Sequence, residues 1–317
     1  MLDNLVFSLN AIAPIFLLVL LGYAIKRRGH LDEYTYKKIN TIVFKFAMPV
    51  MLFRDVLGAN LREAMDLTLI VYMLVTTFLA FFGAWIFAIL ITKDRRKIGA
   101  FVQGSFRGNF VFIGLPLIRN IMGGELPARA LVVTAFIVPT YNILSVVILT
   151  IYSGEKQSLL KTTKETVLNI VKNPLIWGIF LGVGANLINL ELPIAIAQTF
   201  APLSQMAMPI MLLCIGATLD FTKLKSTIKN ALLVSFYKLV LVPLVFLSIA
   251  IYMGFPSDSI VVLYVMYAAP TAIASYTMAA MMNSDEELAS NIVVLTSLLS
   301  AITFTIGIYI LRVMEII

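Results

Sequence analysis

The chain has 317 residues, of which 60% are hydrophobic and only 13% charged, with a mean hydropathy of +0.96 and a formal net charge of +7. A soluble domain of this length cannot hide so much apolar surface, so composition places the chain among membrane proteins. The basic balance does not point to nucleic acid as a partner, because the Lys and Arg residues are divided among short loops with no stacking aromatics.

Taken in order, the apolar runs are about twenty residues long, the length a helix needs to cross the hydrocarbon at ~1.5 Å per residue. Barrel strands would be ~10 residues long and alternating. Ten candidate spans run roughly over 5–25, 38–57, 67–92, 98–121, 127–152, 168–188, 195–219, 228–253, 259–282 and 287–312. The sequence thus predicts an all-α polytopic membrane protein. The first run is full length and leads into "KRRGH" at 26–30 without a small-residue cleavage site, unlike a signal peptide. His30, the only histidine, falls in that charged loop and reads as solvated. Cys214 lies in an apolar run and reads as an inert buried thiol.

Loop charge sets the orientation. Lys26, Arg27, Arg28, Lys37 and Lys38 join spans 1 and 2; Lys93, Arg95, Arg96 and Lys97 join spans 3 and 4. Lys156, Lys161, Lys164 and Lys172 join spans 5 and 6; Lys223, Lys225 and Lys229 join spans 7 and 8. The loops around Glu191 and Asp258 have no Lys or Arg. By the positive-inside rule, the protein is expected in the cytoplasmic (inner) membrane with both termini outside. The exception is the loop between spans 9 and 10, with "DEE" at 285–287, where acidic residues carry little weight for orientation.

The sequence also repeats. Pro14 and Pro174, Gly22 and Gly182, and "AMPVML" from Ala47 with "AMPIML" from Ala207 are all 160 residues apart. Each copy holds five spans, an odd number, so the second enters the membrane from the opposite side. Residues 1–155 and 156–317 therefore read as two inverted five-helix repeats. That architecture is common in secondary transporters, whose substrate site lies near the midplane between the copies.

The fourth span contains "FRGNFVFIGLPLI" at 106–118, and the repeat pairs it with the ninth, "YAAPTAIASYTMAA" at 267–280. Both carry residues that interrupt a helix. Pro116 and Pro270 are suited to open a second half-helix, and Gly108 and Gly114 permit unwinding before it. Such interruptions are tolerated in lipid only beside other helices or a watery cavity. Two half-helix N-termini would then converge near the membrane centre, where their partial positive charge favours an anion.

These segments, with "AMPVMLF" in span 2, "MPIMLLCIGATL" in span 7 and "KLVLVPL" in span 8, resemble the auxin efflux carrier family. That family includes the plant PIN carriers and bacterial malate permeases, and the likeness covers essentially the whole chain. The resemblance implies two inverted five-helix repeats, small organic anion substrates, and broken helices 4 and 9 that cross. It further implies a dimerising scaffold of helices 1, 2, 6 and 7, and a moving transport domain of helices 3–5 and 8–10. Asn109 matches the family's polar residue at the helix 4 break, which contacts a substrate carboxylate. The chain lacks the long cytoplasmic loop of the large plant members. It also lacks the acidic residue that plant carriers place in helix 3.

Several polar residues are candidates for the site. Asn109 and Thr271 flank the breaks and are the leading substrate contacts; Gly108, Pro270, Pro116 and Ser275 belong to the same segments. Asn142, after Pro139 in span 5, could line the same cavity, and Ser204 and Gln205 in span 7 could face it. At helical rise Arg107 lies ~15 Å from Lys97, Lys238 ~13 Å from Lys229 and Lys45 ~12 Å from Lys37. Cations at such depth face a cavity or partner, or else snorkel to the interface.

No carboxylate lies near the middle of a span, whereas proton relays and most sodium sites use one. Uniport or exchange of an anion therefore ranks above cation symport. The sequence predicts a carrier for small organic anions, with a bile-acid-type sodium symporter or an anion channel as alternatives. It implies no metal or other cofactor. No intramembrane Ser–His pair, zinc motif or aspartyl-protease motif suggests an enzyme.

Overall fold

A computed structural model describes residues 2–59, 61, 65–152, 168, 171–219 and 227–317. Lys156, Lys161, Lys164, Asp220, Lys223, Lys225 and the boundary between the two repeats lie outside the described residues. Twelve helical segments are seen among those described. They are α1 (Leu2–Arg27), α2 (33–57), α3 (Leu67–Ile91), α4 (Arg95–Phe106), α5 (Phe110–Ile121) and α6 (Ala128–Tyr152). They continue with α7 (Pro174–Leu187), α8 (Ile194–Thr218), α9 (Ile228–Tyr252), α10 (Ser257–Ala268), α11 (Ala274–Met281) and α12 (Glu286–Val313). Six of these, α1, α3, α6, α8, α9 and α12, are individually long and apolar enough to cross a membrane.

Helix starts follow from local chemistry. Asp32, Asp66, Asp94, Asn173 and Asp285 each accept a backbone N–H from the first turn of α2, α3, α4, α7 and α12. The Thr35 donors also hold the Asp32 carboxyl below its usual range. In the acidic loop before α12, Asp285 is the cap and Glu286 and Glu287 fill the first turn. Acid there complements the helix dipole, a local reason for the one departure from the loop-charge pattern.

Side-chain contacts gather the helix ends into two groups. In one, the Arg312 guanidinium lies 4.2 Å from the Phe7 ring centre, and Asn120 donates to the Ala11 carbonyl at 2.9 Å. There too Asn186 donates to the Leu57 and Ala59 carbonyls, both at 2.9 Å. In the other, Lys26 lies over Tyr36, Arg95 donates to the Ile151 carbonyl at 2.7 Å, and Arg96 donates to the Asn283 carbonyl at 3.1 Å. Lys26, Arg95 and Arg96, from two of the Lys/Arg-rich loops, belong to the second group.

Glycines allow two helix pairs to pack backbone to backbone. A Cβ on Gly22 of α1 would strike the Leu213 carbonyl of α8, and one on Gly216 would strike the Val19 carbonyl. A Cβ on Gly178 of α7 would come within 2.5 Å of the Pro49 oxygen of α2, and one on Gly182 within 3.0 Å of the Phe53 oxygen.

Proline acts differently from the sequence expectation. Neither Pro116 nor Pro270 opens a half-helix. α5 begins at Phe110 as a π-helical turn, Phe110–Gly114, and Pro116 follows it. The same order occurs twice more: Val43–Ala47 is π-helical before Pro49, and Tyr237–Leu241 before Pro243. A π turn widens the helix by one residue, which accommodates a proline that lacks its N–H and crowds the preceding turn. Pro270 instead ends α10. The residue before a proline is driven into an extended conformation, and Ala269 has φ −58° and ψ 135°. In α8, by contrast, Pro202 and Pro209 lie inside a continuous helix.

Candidate substrate site at the crossed helix breaks

The breaks after α4 and α10 meet directly. Gly108 and Thr271 form an antiparallel bridge. The Asn109 N–H donates to the Pro270 carbonyl at 2.7 Å, and the Ala272 N–H donates to the Arg107 carbonyl at 3.2 Å. Each break thus satisfies backbone groups that the other has freed, which answers how unwound chain is tolerated at that depth. A Cβ on Gly108 would press on the Met266 carbonyl at 3.2 Å and on Ala269 at 3.4 Å, so glycine is what lets the strands approach. Neither Asn109 before α5 nor Ile273 before α11 caps its helix with a side chain. The first-turn N–H groups of both half-helices lack the side-chain acceptors that α2, α3, α4, α7 and α12 possess.

Around this crossing lie eight of the twelve predicted site residues. Arg107 is buried; its Nη2 donates to Asn142 Oδ1 at 2.8 Å and its Nη1 faces the Met278 thioether. Lys238, on the π turn of α9, is 1% exposed, and its ammonium donates only to the Phe106 carbonyl, at 3.4 Å. It also lies 3.6 Å from the position of a Cβ on Gly108. Neither cation has a carboxylate within salt-bridge distance among the described residues. Asn109 is buried beside them. Ser275 is buried in the first turn of α11, and its hydroxyl has no partner.

Thr271 is present but otherwise engaged. Its hydroxyl donates to the Gly104 carbonyl at 2.7 Å, and its N–H donates to the Thr296 hydroxyl at 3.0 Å. It staples the crossing and has no proton to offer an anion in this conformation. Pro116 lies seven residues beyond Asn109, roughly two turns along α5, and is not part of the crossing. Lys45 is exposed, as is Gln205, whereas Ser204 is buried in α8.

Two residues escaped sequence reading. Gln103 is fully buried, its Nε2 donates to Met278 Sδ at 3.7 Å and its Oε1 has no partner. It stands four residues before Arg107, so helical spacing alone puts it on the same face. Met278, three residues after Ser275, gave no signal, because methionine in an apolar helix ordinarily means packing.

Residues 7–308 match the family described as membrane transport protein, the auxin efflux carrier type. The chain belongs to that family. It is 28% identical over 298 residues to a Methanothermobacter thermautotrophicus protein named "Uncharacterized transporter", covering 93% of this chain and 96% of the relative. It is 26% identical over 306 residues to a Rhizobium meliloti protein named "Putative malonate transporter", covering 95% of each. To the Escherichia coli protein named "Uncharacterized transporter YfdV" it is 24% identical over 285 residues, covering 88% of this chain and 90% of that one. Family membership and the apolar helices together make this a multi-pass membrane transporter.

Proposed function

We propose that the protein is a secondary carrier for small organic anions, carboxylates above all, that binds its substrate at the crossed breaks. The observation that carries this reading is the pair Arg107 and Lys238. Each buried ion without a counter-charge costs several kcal/mol even after relaxation. A pair of cations kept in that state beside uncapped helix starts is suited to a negative charge that comes and goes. Asn109 supplies an amide to orient it. The malonate in the name of the Rhizobium meliloti relative fits the same chemistry.

The architecture proposed is ten spans in two inverted five-helix repeats, residues 1–155 and 156–317. In its favour, Gly182 and Leu213 are the 160-residue equivalents of Gly22 and Phe53, and each glycine packs on the other repeat's carbonyl. Helices α1, α2, α7 and α8 would form the scaffold, and a homodimer through it. The remainder would move against it in an elevator-type alternation. An inside-negative potential favours outward movement of an anion by ~2.3 kcal/mol per charge per 100 mV, so efflux from the cytoplasm across the inner membrane needs no coupled ion.

A thermal-shift screen of purified protein against mono- and dicarboxylates tests the ligand class. The best acid then goes into vesicle assays. Saturable uptake with counterflow of labelled acid is expected; flux that rises linearly without counterflow would make the protein a channel. For orientation, single cysteines at Lys93 and Ser257 in a Cys214→Ser background should label from opposite sides, Ser257 from outside. Labelling of both from one side would refute the repeat.

A further inference from the structure

The seam between α4 and α11 holds several buried polar side chains. The Thr271 hydroxyl on Gly104 and the Arg96 contacts to the Asn283 and Ser284 carbonyls fix the two helices side by side and antiparallel. Between those fixed ends lie Gln103 and Arg107 on one wall, and Ser275 and Met278 on the other. Gln103, Arg107 and Ser275 are each more than nine-tenths buried. Yet their polar groups are poorly served. Gln103 Nε2, at 3.7 Å, and Arg107 Nη1 both face the same atom, the Met278 sulfur. Gln103 Oε1 and Ser275 Oγ meet nothing.

A thioether is a weak acceptor, and a guanidinium N–H prefers a carboxylate, with which it makes short, strong, often paired bonds. Two donors converging on one sulfur mark the place where a better acceptor fits. Methionine has three rotatable bonds and repacks easily, and Met278 is only partly buried. It can therefore leave that position without dismantling the helix pair.

We infer that this seam is a second carboxylate subsite, in which Met278 is a displaceable plug. A carboxylate replaces the sulfur and accepts from Arg107 Nη1 and Gln103 Nε2, while the Ser275 hydroxyl, three residues along the same face, turns to donate to it. The subsite is separate from the one at Asn109 and Lys238, because Arg107 reaches toward α11 while Lys238 approaches from α9. It rests on the carrier reading above and sharpens it. An acid with two carboxylates fills both positions, whereas a monocarboxylate leaves Met278 in place. Selectivity for chain length then comes from the fixed separation of the two positions.

The experiment is isothermal titration of the full-length protein with malonate, succinate and acetate. Gln103→Leu and Ser275→Ala should each weaken malonate or succinate roughly tenfold or more, as expected for a lost hydrogen bond to a charged group. Acetate binding should stay within about twofold, because in this scheme acetate never reaches the seam. Met278→Leu conserves volume but removes the sulfur that competes for the donors, so dicarboxylate binding should tighten several-fold. A merely structural methionine would give unchanged or weaker binding. Unchanged dicarboxylate affinity in Gln103→Leu and Ser275→Ala, or unchanged or weaker binding in Met278→Leu, would overturn the subsite alone. Failure of all three acids to bind the unaltered protein would overturn the carrier reading beneath it.

Discussion

The two breaks that meet at the crossing are alike in backbone and opposite in chemistry. The break at 107–109 is opened by glycine and carries Arg107 and Asn109, with Lys238 against its Phe106 carbonyl. The break at 269–273 is opened by proline and carries no charge. Its one polar side chain, Thr271, is consumed in holding the crossing together. One half of the crossing gathers buried cations and an amide, and the other is tied down by hydrogen bonds. The difference shows only when hydrogen bonds, not motifs, are compared.

The largest effect should come from removing a buried cation. An unpartnered charge in the interior is a stability cost, so Lys238→Met is expected to raise the thermal midpoint by a few degrees. The same change should abolish the shift that organic acids induce. Stability gained as function is lost is the signature of a strained site. A variant that melts lower and still binds acids would mean that Lys238 is a structural donor to Phe106 and that the charged half of the comparison is misassigned.

Next in size is Asn109. Removing one hydrogen bond to a charged ligand costs ~1.5–3 kcal/mol, and at ~1.4 kcal/mol per decade Asn109→Ala should weaken acid binding roughly tenfold to a hundredfold. Its backbone bond to the Pro270 carbonyl survives the change, so the melting curve should hardly move. Titration and differential scanning read the two quantities separately.

Much of this arrangement could be read from sequence, and the exceptions have physical causes. The all-helical, apolar character and the location of both breaks follow from apolar run length, Pro and Gly. Arg107 and Lys238 stood out because charge is rare at that depth. What stayed hidden were choices between partners. Nothing in the string says that the Thr271 hydroxyl turns to Gly104 and away from a ligand, since both roles require the same atom. Nor does periodicity distinguish a proline that breaks a helix from one absorbed by a π turn. Pro116 and Pro270 look equivalent, but only Pro270 has a residue before it released into extended backbone. Lys45 and Lys238 look equally deep, and only the packing of α9 decides that one is exposed and the other enclosed.

The rigid half of the comparison predicts the reverse pattern. Thr271→Val keeps the shape but leaves the buried Gly104 carbonyl without its donor. That should cost about 1–3 kcal/mol of stability, visible as a lower denaturation midpoint. Acid affinity, measured on the fraction that remains folded, should fall far less than in Asn109→Ala. If Thr271→Val matched Asn109→Ala in lost affinity with an unchanged midpoint, the threonine would be a ligand contact and the division of labour would fail.

The smallest effect is expected at Pro116. The sequence presents it as the opener of a half-helix, so replacing it should have withdrawn that end from the site. In the structure α5 starts at Phe110, and the Leu115 N–H already bonds the Phe110 carbonyl across the π turn. Pro116→Leu restores one N–H within a turn that is already formed and does not touch residues 107–109. Acid affinity should stay within about threefold, less than half a decade of the ~1.4 kcal/mol scale. Pro270→Leu frees Ala269 from the constraint that ends α10, allows the helix to run on, and pulls the Pro270 carbonyl away from the Asn109 N–H. Binding should then be lost along with the crossing. Measured side by side, the two substitutions separate a proline that makes the break from one that sits beyond it, and equal losses from both would show that the π turn and the crossing act as one unit.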